Sequence, residues 1–232
     1  ERIFTVKSAL ERVNRRIAEA ATACGRRPES VRLVAVSKTV PADRVAEAIE
    51  AGATIMGENY IQEARRKFER LYDRPAQWHF IGHLQSNKAK YAVRMFDLIH
   101  SVDSYKLAAA LDKAAAKNDK VQQILVQVNI SQEETKSGVA EDEALDLIAR
   151  VARLEHVRVT GLMTMPPFFD SPAKARPFFQ RLARLRDRIA AGRIAGVAMD
   201  ELSMGMTGDF EVAIAEGATL VRIGTAIFGA RQ

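Results

Sequence analysis

The sequence predicts an α/β protein built as a single (β/α)8 barrel of the TIM type, with one extra helix before the first strand. Apolar runs of strand length alternate with helical patterns along the whole chain, and about eight such runs occur. This alternation is typical of parallel strands joined by crossover helices. The 232 residues suit one such domain, and no linker interrupts them, so we expect residues 1–232 to form it. A doubly wound sheet is the alternative, although no Gly-x-Gly-x-x-Gly follows the first run.

The expected strands share a short length and a high content of apolar and β-branched residues. Most of them are followed by glycine or by polar residues, which would end a strand. The eight expected strands are residues 31–36, 54–56, 78–81, 98–101, 122–128, 157–162, 198–202 and 219–223.

The first segment is expected to be a helix, because its apolar residues recur at spacings of three and four. Gly25 stands where a left-handed residue ends such a helix, and we expect nearby Cys24 to be a small buried residue. The apolar positions of this helix are Val6, Leu10, Val13, Ile17 and Ala20.

Three later helices are expected to begin at Pro41, behind the pair Asp103-Ser104, and at Ser171, which precedes a proline. A further helix should turn one apolar stripe toward the core, through Leu145, Ile148 and Ala152.

Two segments of the chain resemble each other. Residues 48–56 read Ala-Ile-Glu-Ala-Gly-Ala-Thr-Ile-Met, and residues 213–221 read Ala-Ile-Ala-Glu-Gly-Ala-Thr-Leu-Val. Each reads as a helix end, a glycine turn and an entering strand, and recurring helix-to-strand units need the same glycine cap. The similarity therefore supports the barrel.

Charge and composition exclude several classes of partner. The net charge is +6, but the basic residues are scattered along amphipathic helices, so we expect no nucleic-acid surface. No apolar run approaches the ~20 residues of a membrane span, and no signal-peptide pattern follows the first residues, so we expect no membrane association. One cysteine in the chain favours a reducing cytoplasm.

Lys38 is the first candidate for chemistry. It follows the first expected strand, and in a barrel the C-terminal ends of the strands form the rim where active sites lie. A partly desolvated amine near other cations is a good nucleophile toward carbonyl groups. A surface lysine with a solvated ammonium group is the alternative interpretation.

A phosphate cradle is expected at the last two strand ends, around residues 203–205 and 222–225. Glycines there let backbone amides approach an anion, and the hydroxyls of Ser203 and Thr225 add donors. Ordinary turn glycines are the alternative, but the neighbouring Arg222 favours an anion. A lysine and a phosphate cradle across one barrel mouth fit pyridoxal 5′-phosphate (PLP) or the sugar phosphate of a class I aldolase, and these residues alone do not separate the two.

The histidines do not predict a metal site. His79 and His83 are four residues apart, but they span a strand and its loop rather than one helix, so their rings are not placed on one ion. We expect no metal and no catalytic acid–base pair. We assign no role to His100 or His156.

Seven strings, in order along essentially the whole chain, resemble the pyridoxal phosphate homeostasis protein family. The resemblance implies a barrel like the N-terminal domain of alanine racemase. It also implies that PLP, a form of vitamin B6, is held as a Schiff base on Lys38. The strings are AVSKT at 35–39, GENY at 57–60, WHFIG at 78–82, LQSNK at 84–88, GLMTM at 161–165, LSMGM at 202–206 and VRIGTAIFG at 221–229.

The resemblance further implies which residues contact the cofactor. Ser203, Gly224 and Thr225 would hold the phosphate, and Arg222 would face the pyridine nitrogen. An arginine, with a pKa above about 12, does not readily protonate that nitrogen, so the ring is a weaker electron sink. The pocket would be lined by Asn59, His83 and Met204.

Two features of the strings leave questions open. Lys136 lies in Thr-Lys-Ser-Gly, similar to the family's Ser-Lys-Ser-Gly, and either takes part in cofactor exchange or is a solvated loop lysine. Residues 206–209 read Met-Thr-Gly-Asp where the family more often has Met-Ser-Asp-Asp, which puts a side-chain role at 208 in doubt.

The resemblance implies a non-catalytic PLP-binding protein that buffers, carries or delivers the cofactor, with apo PLP-dependent enzymes as its acceptors. The alternatives are a PLP-dependent amino-acid racemase-like enzyme and an aldolase without cofactor. Because the chain stops at Gln232, just after the eighth expected strand, we expect no second domain of the kind that completes a racemase, and we expect a monomer.

Overall fold

The computed structural model describes residues 4–131, 133–134 and 137–230. The strands, in chain order, are β1 (Arg32–Val36), β2 (Ile55–Glu58), β3 (Gln77–Phe80), β4 (Leu98–Val102), β5 (Gln122–Asn129), β6 (Val139–Ala140), β7 (Val157–Met163), β8 (Glu201–Ser203) and β9 (Leu220–Ile223). The helices are α1 (Val6–Ala23), α2 (Ala42–Glu50), α3 (Ile61–Leu71), α4 (Ala89–Met95), α5 (Tyr105–Lys117), α6 (Ala144–Val151), α7 (Arg176–Ala191), α8 (Phe210–Ala215) and α9 (Thr225–Phe228).

Within the described residues, eight of these strands close into a parallel barrel. Their order is β4-β3-β2-β1-β9-β8-β7-β5, and β4 also pairs with β5, which closes the ring. The two-residue β6 pairs with the end of β5 outside this ring. Closure confirms the (β/α)8 barrel and rules out the open, doubly wound sheet.

All eight expected strands are present, with ends that differ by at most three residues. The largest difference is at β8, which begins at Glu201 instead of 198. The amides of Ala198 and Asp200 donate to carbonyls of β7, at 2.9 and 3.1 Å. The segment that precedes β8 is therefore already hydrogen-bonded to β7, although its backbone is not yet a regular strand.

The side chains inside the barrel separate from the main core. Alternate residues of a strand face opposite sides of a sheet, so half of each strand points toward the barrel axis. One fully or nearly buried apolar group inside the barrel consists of Val34, Ile55, Leu98, Leu125, Met163 and Leu220. The outward-facing residues pack against the helices in a second, larger core.

Helix α1 matches the expected opening helix. Thr5 and Ser8 form a capping box at its start, and Gly25 follows its end with a φ of +77°. Cys24, which we expected to be buried, is exposed at the C-cap. That prediction was wrong because the apolar stripe ends at Ala21, so Cys24 lies beyond the face that packs on the barrel.

The expected stripe of α6 was also partly wrong. The buried residues are Ala144, Leu147, Ile148 and Val151, whereas Leu145 is half exposed. The face of α6 that begins at Ala144 packs against the core, and it buries the branched side chains of Leu147 and Val151 together with Ile148.

Two of the expected helix starts are confirmed. Pro41 is the N-cap of α2, and Ser104 is the N-cap of α5, where its side chain accepts from the amide of Leu107. Ser171 instead begins a short 3-10 turn (Pro172–Ala175) that leads into α7.

The two similar segments have the same backbone geometry. Gly52 separates α2 from β2 with a φ of +108°, and Gly217 separates α8 from β9 with a φ of +107°. Both values lie where glycine is strongly preferred, so the repeated glycine has a common structural cause. In the described parts of the chain, no helix combines the length and hydrophobicity that crossing a membrane requires.

Candidate functional site

A cavity of about 910 Å³ lies at the C-terminal rim of the barrel. Strand β1 pairs with β9 in parallel, with Ala35 opposite Ile223, so the residues that follow these two strands are neighbours. The polar part of the cavity wall includes Lys38, Asp209, Arg222, Gly224 and Thr225. The structure thus brings Lys38 to the same cavity wall as Arg222, Gly224 and Thr225, which belong to the second of the two segments of the expected phosphate cradle.

The backbone around Lys38 is tightly held. Ser37, which precedes it, is fully buried, and its amide donates to the carbonyl of Gly57 at 3.0 Å. Thr39, which follows it, has a φ of +64°, a conformation that β-branched residues rarely adopt. Lys38 itself is half-buried. Its main chain is therefore held in one unusual local conformation at the mouth of the cavity.

Arg222 projects from β9 into the interior of the barrel and is only 3% exposed. Its Nη1 donates to Ser203 Oγ at 2.5 Å, and its Nη2 donates to the carbonyl of Thr164 at 3.0 Å. These bonds tie the guanidinium to β8 and to the end of β7, so its position in the cavity wall is fixed from below.

A column of hydrogen bonds continues from Ser203 down the barrel. Ser203 Oγ lies 2.8 Å from His100 Nδ1, and His100 Nε2 lies 2.9 Å from His79 Nδ1. Both histidines and Ser203 are at most 1% exposed. We call these four residues, Arg222, Ser203, His100 and His79, the polar column.

Chemistry sets the direction of the hydrogen bonds in the polar column. A guanidinium can only donate, so Ser203 Oγ accepts from Arg222 and has one hydrogen left to give. A buried hydroxyl hydrogen needs an acceptor, so it goes to His100 Nδ1. His100 then carries its proton on Nε2 and donates to His79 Nδ1. Both rings are neutral Nε2–H tautomers in this assignment.

Burial keeps these rings neutral and leaves the arginine charged. Burial lowers the pKa of His79 to about 3, with a further contribution from Arg32. It also lowers the pKa of His100, which additionally faces the charges of Arg222 and Arg32. Burial lowers the pKa of Arg222 to about 10, opposed by the carboxylate of Asp209. At neutral pH the column therefore ends in one cation at the cavity wall.

Gly224 and Thr225 shape the wall next to Arg222. A Cβ atom at Gly224 would lie 3.1 Å from the carbonyl oxygen of Val36 and 3.2 Å from its Cβ, so the bare glycine lets β9 approach the end of β1. Thr225 and Ala226 are the first residues of α9, and their amides have no acceptor within their own helix. This part of the wall is suited to an anion.

Asp209 organises the loop that leads from β8 to α8. Its Oδ1 accepts from the amide of Met206 at 2.8 Å, and burial raises the pKa of its carboxyl group. At Gly208 a Cβ atom would meet nothing within 4 Å, so the departure from the family pattern at this position leaves open space in the wall.

The other predicted contact residues lie around the cavity rather than in its wall. Asn59 is half-buried after β2, His83 is exposed after β3, and Met204 is fully buried after β8. The Ser203 hydroxyl is engaged with Arg222 and His100, so in this structure it supports the arginine from below. Lys136 lies outside the described residues.

Sequence reasoning missed His100, to which we assigned no role. It is the middle of the polar column, although 103 residues separate it from its partner Ser203. A signal was present, because His79 and His100 are polar residues whose neighbours on both sides within their strands are buried. Among the described residues, no group of three or more His, Cys, Asp or Glu side chains could hold a metal ion.

Comparisons with known proteins found relatives that match nearly the whole chain. Residues 9–232 match the family model for the N-terminal domain of alanine racemase. The pyridoxal phosphate homeostasis protein of Aquifex aeolicus (strain VF5) is 46% identical over 223 residues, which cover 96% of this chain and 97% of that protein. The protein of the same name from Escherichia coli (strain K12) is 43% identical over 230 residues and covers 96% of this chain.

Solved structures show the same barrel. PipY of Synechococcus elongatus PCC7942, with PLP bound, has a TM-score of 0.81 and 37% identity, and the match covers 92% of this chain and 100% of that one. Alanine racemase of Clostridium difficile 630 has a TM-score of 0.70 at 16% identity, so it shares the fold. That match covers 95% of this chain but 56% of the racemase.

The full-length match to relatives of one name, the family model and the closed barrel lead to the same assignment. This chain belongs to the pyridoxal phosphate homeostasis protein family, whose barrel is that of the alanine racemase N-terminal domain.

Proposed function

We propose that this protein binds PLP in the rim cavity, as a Schiff base on Lys38, and acts in PLP homeostasis by buffering, carrying or delivering the cofactor. The observation that carries the proposal is the common wall that joins Lys38, at the end of β1, to Arg222, Gly224 and Thr225, at the end of β9. The PLP-bound structure of PipY and the names of the relatives support it.

The residues of the cavity fit the groups that PLP carries. PLP supplies an aldehyde, which condenses with a neutral amine with loss of one water molecule, together with a phosphate and a pyridine ring. Lys38 offers the amine, and the amides of Thr225 and Ala226 with the Thr225 hydroxyl offer donors for the phosphate. The volume of about 910 Å³ exceeds what one such molecule needs.

Arg222 has a defined task in this proposal. Its pKa of about 10 keeps it charged at neutral pH, so it donates a hydrogen bond to the pyridine nitrogen and retains its proton. Ser203 and the carbonyl of Thr164 hold it in that position. The expected contacts of Asn59, His83 and Met204 with the cofactor belong to this proposal.

Spectroscopy tests the proposal. Purified protein that is incubated with PLP and then freed of unbound PLP should show a visible absorption band that Lys38→Ala abolishes. Lys113→Ala, which removes an exposed lysine of α5, is the matched control and should keep the band. A protein that stays colourless with excess PLP would contradict the proposal, and so would a band that survives in Lys38→Ala.

A carrier and a racemase-like enzyme differ in what happens to an amino acid. Racemisation requires proton removal on one face of the α-carbon and delivery on the other. Among the described residues of the wall, Lys38 and Asp209 are the side chains suited to proton transfer, and Asp209 already accepts from the Met206 amide. We therefore expect negligible conversion of L-alanine and other L-amino acids into their D-enantiomers, and robust racemisation would favour the enzyme.

Delivery has its own measurement. An apo PLP-dependent enzyme is mixed with the loaded protein in the presence of a phosphatase that destroys free PLP. Reactivation under these conditions would show delivery to an acceptor, and its absence would restrict the role to buffering. We further propose that the protein works in the cytoplasm and that it is a monomer. Light scattering of the loaded and unloaded forms would test the oligomeric state.

A further inference from the structure

A buried lysine lies directly beneath the loop that carries Lys38. Lys67, on α3, is 5% exposed although it bears a charged group. Its Nζ donates to the carbonyl of Ser37 at 2.5 Å, to Glu58 Oε1 at 2.8 Å and to Glu63 Oε1 at 2.8 Å. An ammonium group has three hydrogens, so all three are used.

The two carboxylates extend this contact to both sides of Lys38. Glu63 Oε1 also accepts from the amide of Thr39 at 2.5 Å. Glu58 Oε1 also accepts from the hydroxyl of Ser37 at 2.7 Å. We call Lys67, Glu58 and Glu63 the Lys67 cluster. It binds the peptide group before Lys38 through the Ser37 carbonyl, and the peptide group after it through the Thr39 amide.

These two peptide groups set the direction of the Lys38 side chain. The orientation of a Cα–Cβ bond follows from the planes of the two peptides that flank it. One of the two planes leads into the positive φ of Thr39, a conformation that needs support from its surroundings. The Lys67 cluster supplies that support from inside the fold, without being part of the cavity wall.

We propose that Lys67 and Glu63 are positioning residues for Lys38, which they aim into the cavity by holding the peptide groups on both sides of it. The inference rests on the proposed function of Lys38 as the site that bonds to PLP. The bond forms when Lys38 Nζ adds to the aldehyde carbon and one water molecule leaves. A misdirected Lys38 forms this bond more slowly, while the phosphate and ring contacts of the cavity remain.

The test separates the covalent bond from the fit of the cavity. Borohydride reduction converts the Schiff base into a stable amine, so the fraction of chains labelled at Lys38 is counted by mass spectrometry. Pyridoxamine 5′-phosphate has no aldehyde and reports binding without the bond. In Lys67→Met the rate of labelling should fall about tenfold or more, as for a reacting group displaced by a fraction of an ångström. The affinity for pyridoxamine 5′-phosphate should stay within about twofold of wild type, because its contacts lie elsewhere.

Two variants of Glu63 decide the case if Lys67→Met fails to fold. Glu63→Gln keeps a carbonyl oxygen that accepts from the Thr39 amide and from Lys67, so it should label almost as fast as wild type. Glu63→Ala removes that acceptor and should label more slowly than Glu63→Gln. Equal rates in the two variants would overturn the role of Glu63.

Lys120 offers a matched control at a distance from the cavity. Its Nζ also donates hydrogen bonds to main-chain carbonyls, to that of Val93 at 2.7 Å and to that of Phe96 at 2.8 Å. Lys120→Met removes a comparable lysine, and it should lower stability while leaving the rate of labelling at Lys38 unchanged. Slowing equal to that of Lys67→Met would mean that general destabilisation is the cause, and would overturn the inference.

The remaining outcomes separate the inference from the proposed function. If wild-type protein is not labelled at Lys38, the proposed function fails. If wild type is labelled and Lys67→Met is labelled at the same rate, the positioning role fails alone. Loss of pyridoxamine 5′-phosphate binding in Lys67→Met would show that the cluster shapes the whole cavity, and this too would overturn the role assigned to it.

Discussion

Ser203 is the residue on which the polar column depends. Its hydroxyl oxygen contacts both the charged guanidinium of Arg222, at 2.5 Å, and the neutral ring of His100, at 2.8 Å. Removing it leaves a buried donor and a buried ring nitrogen without their partner. Buried polar groups that lose a partner pay the cost of desolvation without a compensating bond.

Ser203→Ala should therefore lower the free energy of unfolding by about 1–3 kcal/mol. Ser101→Ala is the matched control, because within the described residues the buried Ser101 hydroxyl has no hydrogen-bond partner. Its loss should change the free energy by about 0.5 kcal/mol or less. Urea unfolding of both variants measures the difference, and equal costs would contradict the column.

The candidate site could be predicted only in part from the sequence, and the reason is visible at single residues. Lys38 and Arg222 lie at the ends of strands, and the alternation of apolar runs with helical patterns along the sequence predicts where those strands end. His100 and Ser203 meet through the closure of the barrel, and no spacing along the chain encodes that contact. Lys67 looks like one more polar residue on the amphipathic α3 until the fold places it beneath Ser37.

At the level of elements, the rim depends on how closely neighbouring strands approach. Gly161, in β7, faces β8 so closely that a Cβ atom would lie 2.0 Å from the carbonyl oxygen of Glu201. The clashing atoms belong to the main chain of Glu201, which cannot change rotamer to relieve the overlap as a side chain can. The pairing of β7 with β8 brings Met163 opposite Ser203 and so positions the polar column.

Gly161→Ala should lower the free energy of unfolding by about 3 kcal/mol or more, because a methyl group would force the two strands apart. Gly208→Ala, where the same methyl group meets open space, should stay within about 1 kcal/mol of wild type. Thermal unfolding of the two variants measures this contrast. A Gly161→Ala protein as stable as wild type would show that β7 and β8 are not so closely packed in solution.

Element ends were less predictable than the elements themselves. All eight barrel strands follow from apolar runs, but β8 begins three residues late because the segment before it bonds to β7 in an irregular way. The rotation of α6, which buries Leu147 and exposes Leu145, is set by the neighbours of the helix, and its own pattern allows both stripes.

Over the whole molecule, the polar column runs from the rim cavity toward the opposite end of the barrel. His79 also lines a second cavity of about 530 Å³ there, together with Arg32. Two neutral histidines in the barrel interior make the stability of the entire fold depend on pH. The unfolded chain binds protons at a pKa near 6.5, whereas the pKa of His79 in the fold is about 3.

Between about pH 6.5 and pH 5 the unfolded chain therefore binds more protons, and stability falls as the pH falls. Each of the two rings contributes up to about 1.4 kcal/mol per pH unit. His100→Gln should show a smaller loss over this interval than wild type, measured by urea unfolding at several pH values. Leu125→Ala, which removes a buried apolar side chain from the barrel interior, should keep the wild-type pH dependence.

The central claim is that the cavity at the rim bonds PLP through Lys38. The most direct measurement is peptide mapping by mass spectrometry after PLP binding and borohydride reduction of the wild-type protein. We expect a single major label, on the peptide that contains Lys38. A label on other lysines, or none on Lys38 at saturating PLP, would contradict the account.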